Sequence, residues 1–258
     1  MAALAAPVTS TPTAYWEKSR APRYSLLFAL PLFLLYEGLA AALAGAPGTA
    51  TVRNAADVVL KTPFVFISGT RGSLAFFATI VAIFVFFVAR DLTKSRDRLR
   101  PRLFALMLGE SAVLALLLGI VVGTITARLL GGLGALVMQS GSPTALDQMG
   151  VGTRLMLALG AGLYEELLFR VLLVGGLAAG LRWLTGARRL HAGIIAAMAG
   201  ALIFSAFHYV GEYGDPLELG SFTYRAIAGL IFSGMYLLRG FGITAWTHAF
   251  YDVYVMVL

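Results

Sequence analysis

Apolar stretches of near-membrane length alternate with short polar or basic connections along the chain, a pattern that predicts helices rather than strands. A polar tail, residues 1–23, ends in Lys18, Arg20 and Arg23 and leads into a first span over 24–45. Further spans are expected at 73–89 and 103–127, then, after a Gly/Ser-rich connection at 131–150, at about 155–179, 192–210, 222–238 and 241–258. Residues 52–69 are too polar, and too interrupted at Pro63, to cross, and predict a short interfacial or re-entrant piece. The expected fold class is therefore all-α, a polytopic transmembrane helical bundle of about seven spans. Residues 24–258 form its single membrane domain.

Composition sharpens this picture. The 258 residues are 59% hydrophobic and only 13% charged, with a mean hydropathy of +0.83; a soluble domain carries about 25% charged residues. Cysteine is absent, which excludes disulfides, zinc–thiolate sites and thiol nucleophiles. The +7 net charge is unevenly placed: six of the 20 Lys and Arg fall between Arg90 and Arg102. Such a run marks a cytoplasmic loop facing anionic lipid, and no soluble domain is present to offer it to nucleic acid. Seven crossings put the tail and the 90–102, 180–191 and 239–241 connections on one side, with about 13 Lys and Arg against about five opposite. The positive-inside rule then places the N-terminus in the cytoplasm and the C-terminus outside.

Against that background a few ionisable groups lie within spans, where each costs roughly 2.5–3.5 kcal/mol on insertion scales. Glu165, Glu166 and Arg170 fall within six residues of one apolar stretch. Glu166 and Arg170, four apart, can pair on one helix face, while Glu165 is turned about 100° away and can face something else. Of the three histidines, His191 belongs to a basic turn and reads as solvated. His208 closes the run Phe204-Ser-Ala-Phe-His208, and His248 opens His248-Ala-Phe-Tyr-Asp252. Asp252 is thus placed to accept from His248 and fix its tautomer, or to stand beside it facing one cavity. Glu37 is the other carboxylate deep in a span, placed to pair with an arginine or hydrogen-bond a neighbouring helix.

In this order and at these intervals, 43 residues from Glu165 to His208 and 40 more to His248, the clusters resemble those of a known family. They are similar to the CAAX-protease and bacteriocin-processing family of intramembrane proteases, which includes the type II CAAX prenyl endopeptidases. Its pattern is Glu-Glu-x-x-x-Arg, then Phe-x-x-x-His, then His-x-x-x-Asn or Asp. The resemblance covers about residues 150–256, and the third motif ends here in Asp252, as in many prokaryotic relatives. It implies an endopeptidase of a prokaryotic plasma membrane, acting on a membrane-associated or lipid-anchored protein or peptide. Glu165 and His208 would hold and deprotonate the water, His248 and Asp252 would face the oxyanion or leaving group, and Glu166 with Arg170 would brace the site. A metal-free glutamate mechanism and a Zn²⁺ held by Glu165, His208 and His248 are both compatible with this set. Two other classes stand beside the protease. Polar groups at membrane depth also build the relays of proton- or cation-coupled transporters, and a non-catalytic immunity or scaffold protein could keep the fold. Depth poses a difficulty: at about 1.5 Å per residue, Glu165 and His208 lie roughly 22–24 Å from the cytoplasmic ends of their spans and His248 about 10 Å.

Overall fold

The computed structural model describes residues 12–44, 52–94, 99–131, 149–211 and 214–258, and most of the predicted 131–150 connection falls outside them. Among the described residues there are helices and no strand. They run α1 (Pro12–Arg20), α2 (Pro22–Leu43), α3 (Ala55–Ser68), α4 (Gly72–Lys94), α5 (Pro101–Leu129), α6 (Val151–Thr185), α7 (Arg189–Phe207), α8 (Leu219–Arg239) and α9 (Phe241–Met256). Five helical segments are long and apolar enough to cross a membrane: α2, the α3–α4 pair, α5, α6 and α7. α8 and α9 fall outside that set; α9 has 16 residues, about 24 Å of helix against a hydrocarbon core of about 30 Å.

The polar 52–69 segment is helical through Pro63 rather than broken there. Asn54 caps it, its side chain accepting the Ala56 amide at 2.9 Å. With 14 residues, α3 reaches about 21 Å, too short to cross alone. It folds back on α4, with Phe64 against Phe76 at 5.3 Å. One face of α3 is polar and buried: Asp57 and Lys61 form an ion pair at 2.7 Å, and Lys61 reaches Glu37 of α2 at 2.8 Å. Glu37 thus pairs with a lysine, and more distantly with Arg53 at 3.6 Å, while Tyr164 donates to the same carboxylate.

The core lies where α2, α4, α6 and α9 meet, around Phe33, Tyr36, Phe76 and Tyr164. At one end α1 is tied down by an ion pair between Arg239 of α8 and Glu110 of α5 (Nη2 to Oε2 2.7 Å). Trp16 stacks under that guanidinium at 4.0 Å, and Tyr15 donates to Glu110. Burial and the adjacent Glu110 carboxylate hold the Tyr15 hydroxyl protonated far above the usual phenol range. Between α8 and α9 the chain reverses at Gly240, whose φ of +80° is open to a residue without a Cβ. The predicted difference in depth is taken up by stagger. α9 begins among buried residues beside Ser25, whose Oγ accepts the Gly242 amide at 2.8 Å. The α6–α7 hairpin instead continues through Gly175–Thr185, none of whose residues is buried.

Candidate active site

Helices α5 to α9 and the start of α3 line a cavity of about 560 Å³, within the usual range for small-molecule pockets. Glu165, His208, His248 and Asp252 line it. The glutamates come from a π-helical stretch of α6, Ala161–Val174, a local widening frequent at functional sites. Gly162 makes the approach possible: a Cβ there would lie 2.4 Å from the Ala245 carbonyl oxygen and 2.6 Å from the Ala249 Cβ. Without a side chain at 162, α6 can press its glutamates against α9.

Adjacent in sequence, the two glutamates face different partners. Glu165 turns to the cavity, where its Oε1 accepts from Asn54 Nδ2 at 2.9 Å. Its Oε2 is buried and has no hydrogen-bond partner among the described residues. Glu166 is fully buried; its Oε1 lies 2.7 Å from His248 Nδ1 and its Oε2 3.2 Å from Arg170 Nε. Arg170 is itself buried between two rings, its guanidinium 4.4 Å from Phe204 and 5.3 Å from Phe232. Such faces attract a cation where few hydrogen-bond acceptors are available.

His208 stands just beyond the last residue of α7, its Nδ1 2.9 Å from the Phe204 carbonyl. A carbonyl only accepts, so Nδ1 carries the hydrogen and a neutral ring leaves Nε2 with a lone pair. That Nε2 lies 3.9 Å from Glu165 Oε2. Phe204 therefore serves its histidine twice, by its carbonyl and by an edge contact at 4.9 Å. His248 stacks on Phe232 at 4.4 Å and donates from Nδ1 to Glu166. Its Nε2 points into the cavity, 4.0 Å from Glu165 Oε2 and 3.7 Å from Asp252 Oδ2. The tautomer of His248 is thus set by Glu166. Asp252, four residues on, stands beside the ring beyond hydrogen-bond reach.

Separations of 3.7 to 4.0 Å exceed a direct hydrogen bond, and such gaps are the ones a water bridges. Two imidazoles and a carboxylate are also donor types that catalytic zinc uses, but ligands about 2.0–2.1 Å from a tetrahedral ion sit only about 3.4 Å apart. Among the described residues no group of three such side chains is placed to hold a metal, so the residues as arranged do not fit the ion.

The loop after α7 closes one side of the cavity. The Asp215 amide donates to the His208 carbonyl at 2.9 Å, and the Asp215 carboxylate pairs with Arg225 of α8, which also donates to the Tyr209 hydroxyl at 3.0 Å. His191 is exposed on the first turn of α7, away from this cluster.

Residues 148–254 match the family model described as type II CAAX prenyl endopeptidase Rce1-like. The match covers less than half of the chain and agrees with the resemblance of the three motifs to the CAAX-protease and bacteriocin-processing family. No curated protein and no solved structure matches the chain. The Rce1-like segment contains all six polar residues of the three motifs. It does not contain Asn54, which reaches Glu165 from the start of α3, nor Arg53 beside it in the cavity wall. A signal for this contribution was present: Arg53, Asp57 and Lys61 recur every four residues in an otherwise apolar stretch, marking one polar helix face.

Proposed function

We propose that the protein is an intramembrane endopeptidase that hydrolyses a peptide bond of a membrane-associated protein substrate, with Glu165 as general base. The observation that carries this reading is the buried, unpartnered Glu165 Oε2 with the Nε2 atoms of His208 and His248 at 3.9 and 4.0 Å. A water among these atoms donates one proton toward Glu165 and the other toward His208. Its oxygen attacks the scissile carbonyl as Glu165 takes the first proton. His248, protonated at Nε2, donates to the oxyanion, while Glu166 on its far nitrogen stabilises the imidazolium and holds the ring in place. Glu165 then returns its proton to the departing amine, next to Asp252. Asn54 holds the other oxygen of Glu165, which leaves Oε2 free for the reaction.

The wide spacing of the donors supports the metal-free glutamate form of this chemistry. Within the family, the resemblance to CAAX prenyl endopeptidases supports a substrate held at the membrane by a lipid or a spanning anchor. The membrane arrangement that goes with this reading has seven crossings, α2 and α4 to α9, with α3 as the short polar-faced segment at one end and the N-terminus in a prokaryotic cytoplasm. The test is cleavage of a membrane-anchored peptide by the purified protein. Glu165→Ala and His208→Ala should abolish it and His191→Ala should not; parent-like rates in the first two would remove the assignment.

A further inference from the structure

We infer that the catalytic cavity opens on the membrane face away from the cytoplasm, so that the substrate is a polypeptide segment displayed on that face and tethered there by a lipid or membrane-spanning anchor. This rests on the proteolytic reading above and adds a side to it.

The helix ends form two sets. At one end lie the starts of α2, α5 and α9 and the ends of α4 and α8. Arg23 meets Asp91 at 3.4 Å, the Arg100 amide donates to the Tyr24 hydroxyl at 3.0 Å, and Arg20 donates to the Leu237 carbonyl at 3.0 Å. The end of α6 belongs here too, because α6 runs opposite to α2 and α9: near its start Arg154 donates to the Met256 carbonyl at 2.9 Å and Gly152 lies against Leu43. At the other end lie those two contacts, the start of α3, the last turn of α5 and the loop after α7.

The cavity runs from mid-bundle, at Phe232 and His248, out to this second end and does not reach the first. Its wall includes Val52, Thr126, Met149, Gly211 and Met256, each from a connection or helix end of that set. Access grades the same way: the side chains of His208 and Asp252 are 26% and 18% exposed, those of Glu165 and His248 8% and 5%. Val210 and Leu217 beside the mouth, and Leu219 at the start of α8, are exposed apolar side chains, suited to a substrate that arrives along the bilayer.

Charge divides between the same ends. By sequence, 13 of the 20 Lys and Arg belong to the end remote from the cavity: three at 18–23, six at 90–102, three at 182–189, and Arg239. Six belong to the cavity end, and of these Arg53, Lys61 and Arg225 are paired with Glu37, Asp57 or Asp215. Short loops rich in Lys and Arg stay in the cytoplasm, and acidic residues contribute little to the choice. The remote end is therefore cytoplasmic and the mouth faces the other way. A bond in a cytosolic C-terminal tail would lie on the wrong side of the bundle from the activated water.

The absence of cysteine makes the test direct. Leu217→Cys places a single thiol at the mouth and Thr185→Cys one at the remote end, both at exposed positions. In intact bacterial cells a membrane-impermeant maleimide should label the first, and the second only after permeabilisation; the reverse pattern overturns the inference. In the same cells, two reporters carry one cleavable peptide next to a transmembrane anchor, on either side of the membrane. Cleavage confined to the outward reporter, and lost with Glu165→Ala, is expected. Cleavage of the inward reporter alone overturns the sidedness and leaves the protease. Outward labelling with neither reporter cut keeps the sidedness and counts against the protease reading.

Discussion

Asn54 Nδ2 donates to Glu165 Oε1 at 2.9 Å across 111 residues of sequence, while its own Oδ1 accepts the Ala56 amide at 2.9 Å. One side chain thus starts α3 and fixes the carboxylate proposed as base. The two roles separate by substitution. Asn54→Asp keeps the cap acceptor but sets a second carboxylate against Glu165; Asn54→Ser keeps the cap and merely drops the donor. Asn54→Ser should melt close to the parent, since it keeps the cap and even cap loss costs about 1 kcal/mol, whereas Asn54→Asp should melt lower because two buried carboxylates repel. Peptide cleavage should fall about tenfold or more in Ser and further in Asp, in kcat rather than KM. Equal rates in all three would remove Asn54 from the site.

Glu166 joins Arg170 to His248, and the three are buried together. Removing one partner of a buried pair costs about 3–5 kcal/mol, because the other charge is left uncompensated. Glu166→Ala should therefore lower the unfolding temperature. Glu166→Gln keeps the shape and still accepts from His248, and should lose kcat by about 10²-fold or more with a smaller change in stability. Arg170→Lys should behave poorly as well, because a compact ammonium cannot reproduce the planar contact with Phe204 and Phe232. Thermal unfolding and cleavage rates on the same preparations separate the two kinds of loss.

With the donor atoms of Glu165, His208 and His248 as far apart as 4.0 Å, chelation should leave turnover unchanged. The check is cleavage after exhaustive treatment with a membrane-permeant chelator, together with elemental analysis of the purified protein. Activity that disappears and returns with zinc would mean that these side chains close by several tenths of an ångström around an ion.

Gly162 lets α6 touch α9, and Gly162→Ala would press its Cβ on the Ala245 carbonyl and Ala249. Overpacking of this kind costs about 1–3 kcal/mol. Cleavage should fall more than the stability loss explains, because Glu166 and His248 must separate as the helices part. Ala249→Gly should rescue only partly, since the backbone at Ala245 remains in the way.

Much of this site could be read along the chain because its motifs are local. Spacings of one and four residues determine that Glu165 and Glu166 diverge and that Glu166 meets Arg170 on the same helix. Apolar run lengths likewise showed the helices. What escaped was set by packing between distant segments. Nothing near residue 248 says that its imidazole will take its hydrogen-bond partner from residue 166 rather than from Asp252. The Phe204 carbonyl, the placement of His208 past the end of α7, and the stagger of α9 against α6 depend equally on how the helices dock. Residues 52–69 read as a polar piece that does not cross alone, and α3 is too short to do so; what needed the fold was that Asp57 and Lys61 neutralise each other against Glu37 and that the helix runs through Pro63.

The contact between α3 and Glu165 bears on how portable the chemistry is. The family-matching stretch begins at residue 148, yet the carboxylate proposed as its base leans on an amide from residue 54, and its Tyr164 packs against Tyr36 at 5.0 Å. A chimaera that grafts only the matching stretch onto foreign N-terminal helices would inherit every motif and an unsupported carboxylate. An autonomous catalytic unit must bring α2 and α3 with it.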